Sequence, residues 1–136
     1  MFVNQLMQLQ HELLPDSDAS LRALEGVLSR DHPHPRAYGT FPRFLRAALD
    51  GRAVPVAEAI RKMTALPAAQ FSLKGRGVIA PGAFADLVVF DPAAVRDLAT
   101  YEHPHQFAAG IEQVVVNGVT AYRPGHISTA RAGRVL

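Results

Sequence analysis

Apolar residues recur at helical spacing through the first half of the chain and at strand spacing through the second. Phe2, Leu6, Leu9 and Leu13, with Val3 and Leu14 beside them, predict a helix over residues 2–14. Pro15-Asp16-Ser17-Asp18 breaks that pattern and supplies cap residues, and Leu21, Leu24, Val27 and Leu28 predict a second helix from about Ser20 to Arg30. Asp31-His32-Pro33-His34-Pro35-Arg36 reads as non-helical, because each proline pushes the residue before it toward extended backbone. Phe41, Phe44, Leu45, Ala48 and Leu49 form a third amphipathic series that ends near Gly51. Pro55 suits the first turn of a fourth helix with Val56, Ala59, Ile60 and Met63 facing inward. Thr64 is placed to cap a short fifth around Pro67 to Leu73, with Gly75 ending it.

After Gly75 the period changes to two. Leu87-Val88-Val89-Phe90, stopped by Asp91-Pro92, and Ile111 to Val116 read as strands. Asn117-Gly118 between Val114-Val115-Val116 and Val119-Thr120-Ala121-Tyr122 is a hairpin signal, since the tight turn needs positive φ at both central residues. Pro124-Gly125 closes that strand, and His126 to Leu136 reads as a polar surface tail. Helices followed by strands, without alternation, predict an α+β fold. The expected division is residues 1–74, helical, and residues 75–136, β-rich.

Composition narrows the function. With 49% hydrophobic and 19% charged residues, the 136-residue chain is globular rather than disordered. No apolar run nears the roughly 20 residues that cross a bilayer, and the first residues do not read as a signal peptide. The sequence pI is about 9.4. The arginines, however, are scattered from Arg22 to Arg134 without a basic run, so no nucleic-acid partner is expected. With no cysteine there are no disulfides and no thiolate ligands, which fits a cytoplasmic protein. His32 and His34, and again His103 and His105, stand two apart, a spacing that puts both rings on one side of an extended backbone. Two ligands do not close a zinc site, and rigid proline loops explain the pattern equally well. Asp86 and Asp91 flank a strand too far apart to act as a catalytic pair, and Asp91 before Pro92 reads as a turn residue.

His34-Pro35-Arg36, Gly39-Thr40-Phe41-Pro42-Arg43 and Met63-Thr64-Ala65-Leu66-Pro67-Ala68 together resemble segments of the N-acyl-D-amino-acid deacylases of the metal-dependent amidohydrolase superfamily. His34-Pro35-Arg36 with Gly39-Thr40-Phe41-Pro42-Arg43 is similar to their HPR-x-x-GTFPR segment, and Met63-Thr64-Ala65-Leu66-Pro67-Ala68 to the helix that follows it. Pro81-Gly82 with Ala85-Asp86-Leu87-Val88-Val89-Phe90-Asp91, then Val116-Asn117-Gly118, resemble stretches shared across the superfamily. The resemblance covers about residues 31 to 136. It implies a (β/α)₈ barrel joined to a small β-sandwich, with the first half here as the barrel's tail and the strands as part of the sandwich. It also implies zinc in the complete enzyme and a small-molecule N-acyl-D-amino acid as substrate.

The same resemblance implies roles for individual residues. Asp18, in Ser17-Asp18-Ala19, stands where the family places a general base that then serves as acid, although either Ser17 or Asp18 also suits a helix cap. Arg36 would grip the substrate carboxylate bidentately, against the plainer reading of a surface arginine bridging loop and helix. Tyr38 would line the acyl pocket or else pack beneath the loop. No metal ligand is assigned, because His-x-His on a strand and cysteine are both missing from this sequence. The chain is therefore expected to be the C-terminal part of such an enzyme, inactive and without zinc by itself. Alternatively it is a non-catalytic module. In either case its unpaired strands and uncovered helix faces predict a homo-oligomer.

Overall fold

The computed structural model describes residues 30–134. The two helices expected over residues 2–14 and 20–30, and Asp18 with them, lie outside the described residues apart from Arg30 at the end of the second. Within the described part the architecture is α+β: three helices, α1 Arg36–Leu49, α2 Val56–Met63 and α3 Ala65–Gln70, precede four strands, β1 Leu87–Phe90, β2 Ile111–Val116, β3 Val119–Arg123 and β4 His126–Ile127.

α1 begins at Arg36, earlier than its apolar series suggested. Pro35 lies in the right-handed helical region at φ −51° and ψ −28°, and its carbonyl accepts from the Tyr38 and Gly39 amides at 3.1 and 3.0 Å. A proline's fixed φ is preorganised for a first turn, so the prolines that break the chain at 31–34 also start the helix. Pro42 sits inside α1, where it has no N–H to donate. α2 runs as expected behind Pro55, with Ala59 fully buried, but Ile60 is 40% exposed and Lys62 is buried instead. Thr64 does precede α3, yet its hydroxyl donates back to the Ile60 carbonyl at 2.8 Å and makes no cap bond. α3 stops at Gln70 and the chain turns at Ser72, with φ 56°, before Gly75 is reached.

The strands form an antiparallel meander in the order β1-β2-β3-β4. Leu87 faces Val115 and Val88 faces Val114 across β1 and β2. Asn117 and Gly118 have φ 48° and 81°, the pair of positive values the turn needs. The tail is not wholly irregular: His126 and Ile127 return through Pro124-Gly125 and pair with Arg123 and Tyr122. No described helix packs directly on a strand. Loop 91–110 lies between them and supplies the buried Val95 and Ala99, while Leu45, Ala48, Ala59 and Ala68 form the helical core.

Candidate functional site

The segment with the most chemistry is the entry to α1, where loop 31–35 meets loop 97–106. A cavity of about 310 Å³ opens there, lined by His34, Arg36, Thr40 and Arg43 on one side and by Asp97 and Tyr101 on the other. Arg36 is thus placed on a cavity wall at the first turn of a helix, where the helix dipole favours an anion although the first amides already bond within the protein.

Two imidazole–phenol pairs clasp the loops. The Arg36 amide donates to His34 Nδ1 at 3.1 Å, so the neutral ring carries its proton on Nε2, which stands 2.9 Å from the Tyr101 hydroxyl. His105 Nε2 faces the Asp31 carbonyl at 2.8 Å and must donate, which leaves Nδ1 to accept from the Tyr38 hydroxyl at 3.2 Å. The His32 ring reaches the Tyr101 carbonyl. Both pairs also meet edge to face, His34 on Tyr101 at 5.0 Å and Tyr38 on His105 at 5.7 Å between ring centres. His32 and His34 of the first spacing and His105 of the second therefore belong to one assembly. Tyr38 is half-buried between His105 and Phe107 and is not among the residues lining the cavity beside Arg36.

A carboxylate missed by the sequence reading ties the helix to the second loop. Asp97 accepts from Arg43 Nε at 3.0 Å, from Arg43 Nη2 at 2.6 Å and from the Ala99 amide at 2.8 Å. Its side chain is only 8% exposed, against 71% for Arg43, so the aspartate is the fixed member of the pair. Gly39 lets α1 approach this closely, because a Cβ there would fall 2.4 Å from the Asp97 carboxyl. Nothing in local sequence distinguishes Asp97 from any other loop aspartate.

Asp86 and Asp91 behave as separate structural residues. Asp91 accepts from the Ala93 amide at 2.8 Å and shapes a turn. Asp86 bonds Arg76 and accepts from the Asn117 amide at 2.8 Å. That amide chiefly holds the Asp86 carboxyl below its ordinary value; burial opposes it next, and the Arg76 hydrogen bond and charge add to the lowering.

The described residues do not suit a catalytic metal. No three of their His, Asp and Glu side chains converge on a common point, and both ring nitrogens of His34 and His105 are engaged within the protein.

Comparison with known proteins agrees with the arrangement of segments. The amidohydrolase family matches residues 28–122. A D-aminoacylase of Alcaligenes xylosoxydans xylosoxydans is 50% identical over 113 residues, which cover 82% of this chain and 23% of that protein. A D-aminoacylase structure with a binuclear metal centre superposes with a TM-score of 0.73 at 50% identity, over 76% of this chain and 22% of its own. The N-acyl-D-glutamate deacylase of Bordetella bronchiseptica, complexed with zinc and a phosphonate mimic of the tetrahedral intermediate, gives 0.71 at 44% identity over 77% and 22%. This chain thus spans less than a quarter of the relatives it matches, and the complete enzymes of the family carry a metal. On the family match and these superpositions, the chain belongs to the amidohydrolase family and matches a partial region of its D-aminoacylases.

Proposed function

We propose that this chain supplies one wall of the active site of a zinc-dependent hydrolase that cleaves the amide of N-acyl-D-amino acids, and that it is inactive alone. The observation that carries the reading is the position of Arg36 on the cavity wall at the start of α1, within a segment that aligns with deacylases at 50% identity. A guanidinium there, at the positive end of the helix dipole, suits the carboxylate that every N-acyl amino acid presents. In this reading the helices are the tail of the barrel and the strands part of the small β-sandwich. Asp18 takes the proton of the attacking water and returns it to the leaving amine nitrogen.

Grafting the whole chain, Asp18 included, in place of the matching part of a D-aminoacylase tests this. The chimera is expected to hydrolyse N-acetyl-D-amino acids, and the isolated chain is not. Arg36→Ala in the chimera should cost roughly ten- to a hundredfold in kcat/KM on substrates with a free carboxylate and far less on their amides. An equal loss on both would remove Arg36 from carboxylate binding, and turnover by the isolated chain would show that it is not merely a part.

A second reading, an oligomerising module without catalysis, has its own observation. Among the described residues β1 pairs only with β2, and Leu87, Val88 and Val89 are 37%, 56% and 47% exposed. Successive strand residues point to opposite faces, so both faces of this edge strand present apolar surface to solvent, a template for another chain. The isolated chain is accordingly expected to be a dimer or larger at micromolar concentration. Light scattering that finds a monodisperse monomer would exclude this reading.

A further inference from the structure

We infer that His34 is a positioning residue for Arg36: it holds the turn that bears the guanidinium and is itself held by Tyr101. The inference rests on the carboxylate-anchoring role proposed for Arg36 and adds what fixes that side chain in place. Two bonds on one ring carry it. His34 Nδ1 accepts the backbone N–H of Arg36 at 3.1 Å, and Nε2 lies 2.9 Å from the hydroxyl of Tyr101, a residue 67 positions away. The first four amides of a helix have no partner within the helix, and α1 has no side-chain bond from its N-cap residue, Pro35. The imidazole two residues before Arg36 takes over that work.

This contact fixes the tautomer. A nitrogen that accepts a backbone N–H carries no proton of its own, so the other nitrogen is the donor, and the Tyr101 oxygen is where it points. The Tyr101 ring stands edge-on to the imidazole at 78° and 5.0 Å, which limits rotation of the imidazole. Tyr101 is set in turn by the His32 ring at its carbonyl, and the neighbouring His105 by Asp31 and Tyr38. Loop 100–105 thereby fixes the start of α1, and His34 is the imidazole that reaches the Arg36 amide itself. His34, Arg36 and Tyr101 all line the same cavity, so a shift of the ring is felt where a carboxylate would sit. Charge-assisted bidentate contacts depend steeply on geometry, and a loosened guanidinium loses much of its advantage.

The test uses the full chain and two probes, N-acetyl-D-leucine and its amide, titrated by NMR. The readout is the ratio of their dissociation constants, which a general loss of folding would not move selectively. His34→Phe keeps a ring against Tyr101 but has no acceptor; His34→Asn keeps an acceptor on a shorter side chain. In His34→Phe the preference for the acid is expected to fall about tenfold, the size of one charge-assisted contact, and in His34→Asn most of it should survive. Ring ¹⁵N shifts of the unaltered chain should show His34 protonated on Nε2. If His34→Phe keeps the preference while Arg36→Ala abolishes it, Arg36 anchors the carboxylate without His34 and the inference is wrong. If Arg36→Ala also keeps the preference, or neither probe binds, the anchoring role itself fails and this inference falls with it. A ring protonated on Nδ1 would overturn the inference whatever the ligands do.

Discussion

Replacing Gly110 by alanine is expected to destabilise the chain by roughly 3 kcal/mol or more, among the larger effects of a single methyl group. Gly110 has φ 74°, and a Cβ built on it would fall 2.3 Å from the Val95 nitrogen and 2.5 Å from the Ala94 carbonyl carbon. These neighbours are backbone atoms and have no rotamer to escape into. The same peptide is bonded into the turn it touches: the Gly110 carbonyl accepts from the Asp91 amide at 2.9 Å, and the Asp91 carbonyl accepts from Val95 at 2.8 Å. Val95 is fully buried, so the turn cannot move outward without uncovering the only large side chain among the described residues that is wholly shielded from solvent. Gly82→Ala is the control. Gly82 has φ 82° but nothing within 4 Å of an added Cβ, so it isolates the conformational strain at about 1 kcal/mol. Urea unfolding of both variants separates the contributions. Equal midpoints would show that backbone approach at Gly110 adds nothing to the strain of its φ.

The second large effect is expected at Asp86, where one carboxylate joins three parts of the β-rich half. Asp86 pairs with Arg76, whose Nη2 also donates to the Asn117 side chain at 2.8 Å and whose guanidinium lies 4.4 Å over the Phe84 ring. Asn117 donates its amide to Asp86 and its side-chain nitrogen to the Ala132 carbonyl at 2.6 Å, so hairpin turn and tail are held from the same place. Arg76 is 12% exposed and its Nε has no partner, so losing Asp86 leaves a nearly buried cation with one acceptor fewer. Asp86→Ala is expected to cost about 2 kcal/mol, held to that by the one-third exposure of the aspartate, which lets water replace part of the contact.

The pH dependence has a definite sign. The Asp86 carboxyl is held below its ordinary value of 3.8 in the folded chain, so its contribution is present above that pH and disappears as pH falls through the lower, folded value. Asp86→Asn should therefore unfold over a flatter acid limb than the unaltered chain. Asp50 and Glu58 are lowered by arginine partners too, and because both are unchanged in Asp86→Asn they remain as background in both proteins. Identical acid limbs would show that Asp86 gives no net stabilisation through its charge.

Local sequence determined the elements whose cause is local. Leu87–Phe90 and Ile111–Val116 are strands because β-branched and aromatic residues fit a pleated surface, and Asn117-Gly118 turns because both residues tolerate positive φ. The deacylase-like segments were legible for the same reason, since a motif is contiguous. Local sequence did not determine where α1 starts, because the same prolines that break the chain also preset the first turn once loop 100–106 is there to pack against it. β4 escaped because two residues become a strand only through pairing with Arg123 and Tyr122. The His-Pro-His and His-x-His spacings could be read as two isolated pairs, but not as one clasp. Their partners Tyr101 and Tyr38 lie 67 positions from His34 and His105, and only the folded chain brings these side chains within hydrogen-bonding distance. Asp97 became a fixed anchor for Arg43 in the same way, through the space that Gly39 leaves. The sequence by itself thus determined the strands, the hairpin and the family motifs. The tertiary structure decided the tautomers, the cavity and the surroundings of Arg36, because hydrogen bonds and close packing depend on distance in space rather than along the chain.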